Sequence, residues 1–138
     1  MLSGADDVVN LKSKNDMKNL ISIVEIPTSN FSRAVAFYNA ILDMQIEEID
    51  MGGVKMGLFP NEGEGIFVHL IQGTEYKPAA DGVIVYFNGG TDLQNVVTKI
   101  EANGGETVVP KTEIGPEMGY YAMFIDTEGN KLGLHSLN

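Results

Sequence analysis

The stretch Gly119-Tyr120-Tyr121-Ala122-Met123-Phe124-Ile125-Asp126-Thr127-Glu128-Gly129-Asn130-Lys131-Leu132-Gly133-Leu134 decides the fold. Tyr120–Ile125 and Lys131–His135 are β-rich runs, and Glu128-Gly129-Asn130 between them has the composition of a tight turn. The pattern predicts an antiparallel hairpin. The same pattern stands earlier in the chain. Gly65 falls on Gly129, Val68 on Leu132, His69 on Gly133 and Leu70 on Leu134, each pair 64 positions apart.

Working outward, each hairpin is preceded by the same elements. In the first half Leu20–Ile26 reads as a strand ending at Pro27. Phe31, Ala34, Val35, Phe37, Tyr38, Ile41 and Leu42 then recur at helical spacing, behind a Ser29 or Asn30 cap. Strands are expected at Gln45–Ile49, Val54–Phe59 and Ile66–Ile71. The second half gives a strand at Val83–Phe87 and a capping-box spacing at Thr91-Asp92-Leu93-Gln94. Its helix carries Leu93, Val96, Val97 and Ile100 on one face and stops at Gly104-Gly105, and a short strand at Thr107–Val109 follows. At the start of the halves the offset is 62, placing Ile23 on Val85, Glu25 on Phe87 and Phe31 on Leu93. Shared element order and small drift favour a duplication. The fold class is α+β, with modules at 19–73 and 82–138 forming one domain over 19–138. Residues 1–18 are polar and read as an extension, flexible or a short helix.

With 138 residues and 43% hydrophobic composition, the chain has the material for one core without staples. It has no cysteine, which excludes disulfides, thiol nucleophiles and thiolate metal sites. Nine basic against nineteen acidic residues give a net charge of −10, and Arg33 is the sole arginine, so nucleic acid is not an expected partner. No apolar run has the length of a membrane span and the start lacks a signal-peptide pattern, so a cytoplasmic protein is expected.

Two stretches resemble the vicinal oxygen chelate superfamily, which includes glyoxalase I, extradiol dioxygenases and the fosfomycin and bleomycin resistance proteins. Glu25-Ile26-Pro27 through Arg33-Ala34-Val35-Ala36-Phe37-Tyr38 is similar to that family's first strand and helix. Gly119–Leu134 is similar to its final hairpin, with Thr127 where the family often has proline. The resemblance implies two tandem βαβββ modules forming a half-open β-barrel with helices outside, a site in the barrel's cup, and a homodimer.

The resemblance also implies where metal ligands would fall: Ile23, Val85, Gly133 and His69. Only His69 has a donor atom, and one imidazole does not hold a functional divalent ion against water. No family metal site and no cofactor are expected. Glu25, two residues after Ile23, shares its strand face and is a candidate acid–base partner for His69. His69 reads more simply as a strand histidine satisfied by a backbone carbonyl. Tyr86, Tyr121, Met123 and His135 are candidates for substrate binding, although aromatic and Met side chains in strands also serve as core. Alternation puts Tyr121 and Met123 on one face and Tyr120, Ala122 and Phe124 on the other, without saying which face lines the cup.

The functional expectation is a glyoxalase- or bleomycin-resistance-like protein that binds a small organic molecule, with proton transfer as its candidate chemistry. One alternative is a metal-dependent lactoylglutathione lyase or dioxygenase holding Zn, Ni or Fe through His69, Glu25 and His135. The other is a non-catalytic, drug-sequestering protein, for which the acidic balance suits a cationic ligand.

Overall fold

The computed structural model describes residues 19–61, 63 and 65–138. The expected extension at 1–18, and Glu62 and Glu64, lie outside the described residues. The first module runs β1 (Ile23–Pro27), α1 (Phe31–Leu42), β2 (Glu47–Met51), β3 (Val54–Leu58) and β4 (Phe67–Gln72). The second runs β5 (Tyr86–Asn88), α2 (Gln94–Ile100) with a short 3-10 turn at Glu101–Asn103, β6 (Glu106–Gly115), β7 (Gly119–Ile125) and β8 (Lys131–Ser136). Each module is a mixed four-stranded sheet, ordered β1-β4-β3-β2 and β5-β8-β7-β6. In both, the first strand lies parallel to the last and the others pair antiparallel. The expected α+β class and duplicated βαβββ plan are therefore present. No helix among the described residues is long and apolar enough to cross a membrane.

The helical stripe read from the sequence is the buried face of α1: Phe31, Ala34, Val35, Phe37, Tyr38 and Ile41. Asn30 caps α1 by accepting from the Arg33 N–H at 3.1 Å. A hydrogen bond repeats at the start of both helices. Gln72, at the end of β4, accepts the Phe31 N–H at 2.6 Å, and Ser136, at the end of β8, accepts the Leu93 N–H at 3.0 Å. One core spans both modules, because Tyr38 packs on Phe59 and Phe87, and Phe37 on Phe124.

Strand register corrects the expected alignment. Glu25 lies across from His69 and Tyr86 across from Gly133, so the first strands correspond at 61 positions, not 62. The extra residue sits at Gly89-Gly90, where Gly90 has a positive φ of 84° and a side chain on Gly89 would meet Leu93. The strand expected at Val83–Phe87 is correspondingly Tyr86–Asn88. The capping box does not form. Asp92 instead accepts the Gln94 N–H and pairs with Lys111 at 2.8 Å, and α2 begins beyond Leu93. The expected Thr107–Val109 strand extends to Gly115 through Pro110, which an edge strand tolerates because one side of its ladder needs no N–H.

The turn Asp126–Asn130 clasps the modules together. Glu128 accepts from Ser29 N, Ser29 Oγ, Asn30 N and Arg33 Nε at 2.9, 3.1, 2.6 and 2.8 Å. Asp126 accepts from Tyr38 Oη at 2.7 Å, and Asn130 Nδ2 donates to the Pro27 carbonyl at 2.8 Å. Burial alone would raise the Glu128 carboxyl, but donation from Arg33, the Asn30 and Ser29 N–H groups and Thr127 outweighs it and holds the group at about 2. Burial first, and the Asp126 charge second, push the Tyr38 phenol well above its ordinary range.

Because the Glu128 carboxyl is depressed from 4.5, its contribution is complete above about pH 4.5 and fades as pH falls toward about 2. Glu128→Gln should flatten that part of the stability–pH curve in urea titrations. Glu128→Ala, which removes the shared acceptor of these donors, should lower stability at neutral pH by about 1–2 kcal/mol.

Candidate functional site

Alternation along the strands assigns the faces that the sequence left open. On β7, Ala122 and Phe124 are buried in the core, so Tyr121 and Met123 point the other way, away from the helices. On β8, Leu132 and Leu134 belong to the core, which leaves Gly133 and His135 on the open face. On β5, Phe87 packs into the core and Tyr86 and Asn88 face out.

A cavity of about 1210 Å³ lies on this open face of the second sheet. All four residues expected to bind substrate, Tyr86, Tyr121, Met123 and His135, line it. Asn88, Thr91 and Ile114 line it too and were missed by sequence reasoning. Asn88 was within reach, being two positions from Tyr86 on the same strand face, whereas Ile114 required knowing how far β6 extends. Tyr86 is 48% exposed, so its ring is available at the cavity mouth.

The lining includes no Asp, Glu, Lys or Arg. Its polar groups are oriented by the protein. His135 Nε2 lies 2.9 Å from the Met118 carbonyl, and Asn88 Oδ1 accepts the Gly90 N–H at 2.9 Å.

Glu25 and His69 are brought side by side, as expected, across the β1–β4 pairing, but on the first sheet. Neither lines the cavity. Glu25 is exposed, and His69 is half-buried with its ring 6.5 Å from that of Phe67. His69 Nδ1 is shut off from solvent and has no hydrogen-bond partner among the described residues, so the expected backbone carbonyl does not satisfy that nitrogen.

The family's divalent ion does not fit this residue set. At Gly133, any side chain would run into the Tyr86 ring, which lies against the glycine where a ligand would have to project. Val85, aligned with a ligand position from the sequence, packs against the core instead, and the corrected register puts the aliphatic Ile84 in the place matching Ile23. Among the described residues no group of three or more His, Asp or Glu gathers to hold a metal.

The contact between Tyr86 and Gly133 is measurable. Gly133→Ala should cost about 1–3 kcal/mol through overpacking. In a Tyr86→Ala background the cost should fall by about 1 kcal/mol, read as the coupling term of a denaturation double-mutant cycle. Equal costs in both backgrounds would mean the ring does not occupy this space.

Comparisons with known proteins agree with the architecture. The model of the Glyoxalase/Bleomycin resistance protein/Dioxygenase superfamily matches residues 20–134. A glyoxylase-like domain-containing protein of Didymella fabae is 27% identical over 120 residues, covering 80% of this chain and 88% of its own. Among solved structures, a variant of glyoxalase I from Zea mays aligns with a TM-score of 0.63 at 14% identity. That match covers 84% of this chain and 45% of the maize enzyme, so the chain spans about half that enzyme's length. TnmS3, an antibiotic binding protein from Streptomyces sp. CB03234, aligns with a TM-score of 0.59 at 15% identity, over 84% of this chain and 93% of its own. With its duplicated βαβββ plan and a match over nearly all of both modules, the chain belongs to the Glyoxalase/Bleomycin resistance protein/Dioxygenase superfamily.

Proposed function

We propose that this protein binds an uncharged, largely apolar small molecule in the cavity on the open face of the second sheet, without a metal ion. The observation that carries the reading is the cavity's lining: aromatic and aliphatic walls around a few hydrogen-bonding groups, with no Asp, Glu, Lys or Arg side chain among the described residues. The acidic balance of the chain suits a cation, but the acidic side chains among the described residues lie outside the cavity lining, which favours a neutral ligand. The fold likeness to an antibiotic binding protein supports the binding reading.

A second reading, proton transfer by Glu25 and His69, is favoured by their in-register pairing and by the buried, unpartnered Nδ1. It concerns the first sheet, and the binding reading does not depend on it. We also take the functional unit to be a homodimer. Ile23 and Phe67, 55% and 46% exposed, share the open face with His69 and give a second copy an apolar surface to cover.

Nile red, a neutral dye that brightens in apolar surroundings, should bind with its fluorescence enhanced. Tyr86→Ala should weaken it about two- to twelvefold, since a stacked aromatic wall contributes roughly 0.5–1.5 kcal/mol. Dye binding that ignores Tyr86→Ala and Met123→Ala would place the ligand elsewhere. Light scattering should return twice the chain mass, and Phe67→Glu should reduce it toward one; a wild-type monomer would remove the dimer.

A further inference from the structure

The open face of the second sheet is ordered in two cross-strand rows. Gly133 on β8 is flanked by Tyr86 on β5 and Met123 on β7, and His135 is flanked by Asn88 and Tyr121 in the same way. Same-face rows of this kind are two residues apart along the strand, roughly 6.5–7 Å. The first row is apolar: a tyrosine ring against a glycine, beside a thioether. The second is polar, and the protein's own hydrogen bonds fix what each of two side chains can offer.

A carbonyl oxygen only accepts, so the contact between His135 Nε2 and the Met118 carbonyl at 2.9 Å requires the proton on Nε2. In the neutral ring Nδ1 is then a bare acceptor. A backbone N–H only donates, so the contact with Gly90 N identifies the Asn88 oxygen and leaves the amide NH2 as what this side chain presents. Asn88 and His135 are direct neighbours on strands about 4.8 Å apart. The row therefore sets a donor beside an acceptor.

We infer that the cavity selects neutral, planar aromatic molecules carrying on one edge a carbonyl next to an N–H or O–H. The carbonyl accepts from Asn88 Nδ2, the N–H or O–H donates to His135 Nδ1, and the ring lies along Tyr86 and Met123. This rests on the proposed binding function of the same cavity and adds the chemical pattern that its ligand must carry. Discrimination follows from the cost of leaving His135 Nδ1 covered and unpaired when the donor is missing.

The probes are 2-quinolone, which has the lactam edge, and N-methyl-2-quinolone, which has lost the donor. Titration calorimetry at about pH 8, where an ordinary histidine is neutral, should show 2-quinolone binding about tenfold or more tightly than its N-methyl analogue. His135→Phe should bring the two affinities within about twofold, with cooperative thermal unfolding as the check that the variant is folded. Equal affinities in the wild type overturn the inference. So does discrimination that survives His135→Phe, which would make it steric, and so does failure of 2-quinolone to enter a cavity that still takes Nile red. Failure of Nile red as well would instead remove the binding reading underneath.

Discussion

A buried carboxylate with hydrogen bonds from the other half of the molecule holds this fold together. Glu128 comes from the last turn of the second module, yet its donors are Ser29 and Asn30, the two residues leading into α1, and the guanidinium of Arg33 in the first. The start of a helix presents unpaired N–H groups and the positive end of a dipole, and a carboxylate answers both. Asp126, two residues earlier, takes the Tyr38 hydroxyl, and Asn130, two residues later, takes the Pro27 carbonyl. The five-residue turn thereby ties β1, α1 and the core aromatics to the hairpin that forms the cavity floor. Met123 and Gly133 stand only three residues from either end of it. Stability and the cavity thus share one covalent element.

The cavity's chemistry is a matter of exchanged volume. In a metal-bearing relative, a ligand side chain at the place of Gly133 would project from the sheet. Here a tyrosine from the neighbouring strand lies over the bare backbone. Replacing a donor with a ring exchanges a strong, directional interaction for contact area, which suits recognition of an apolar body better than polarisation of an oxygen. The first module has no such exchange, and its equivalent position keeps an imidazole, His69, with one nitrogen covered and unpaired.

Much of this was legible in the sequence. The two hairpins, the stripe of α1 and the family likeness followed from spacing and turn residues, which are local signals. The grouping of Tyr86, Tyr121, Met123 and His135 was also anticipated, although only the structure assigned their faces. What escaped depended on contacts far apart in the chain. The one-residue shift at Gly89-Gly90 is visible only once Tyr86 is paired with Gly133. The capping box looked correct locally, but Asp92, held by Lys111 from β6, took the Gln94 N–H that Thr91 would have accepted. Glu25 and His69 were rightly joined to each other, while nothing local could show that the cavity would lie on the other sheet.

The hairpin tip between β6 and β7 carries a further consequence. Glu117 adopts a left-handed backbone with φ of 64°, and the next residue, Met118, supplies the carbonyl that orients His135. That acceptor is main chain, common to every amino acid, so exchanging the Met118 side chain does not remove it. Changing the tautomer of His135 would require a loop of different length or a different path. The orientation of His135 is consequently exposed to insertions and deletions at that tip and indifferent to the side chains that form it, whereas the aromatic wall of the cavity changes with each residue that lines it.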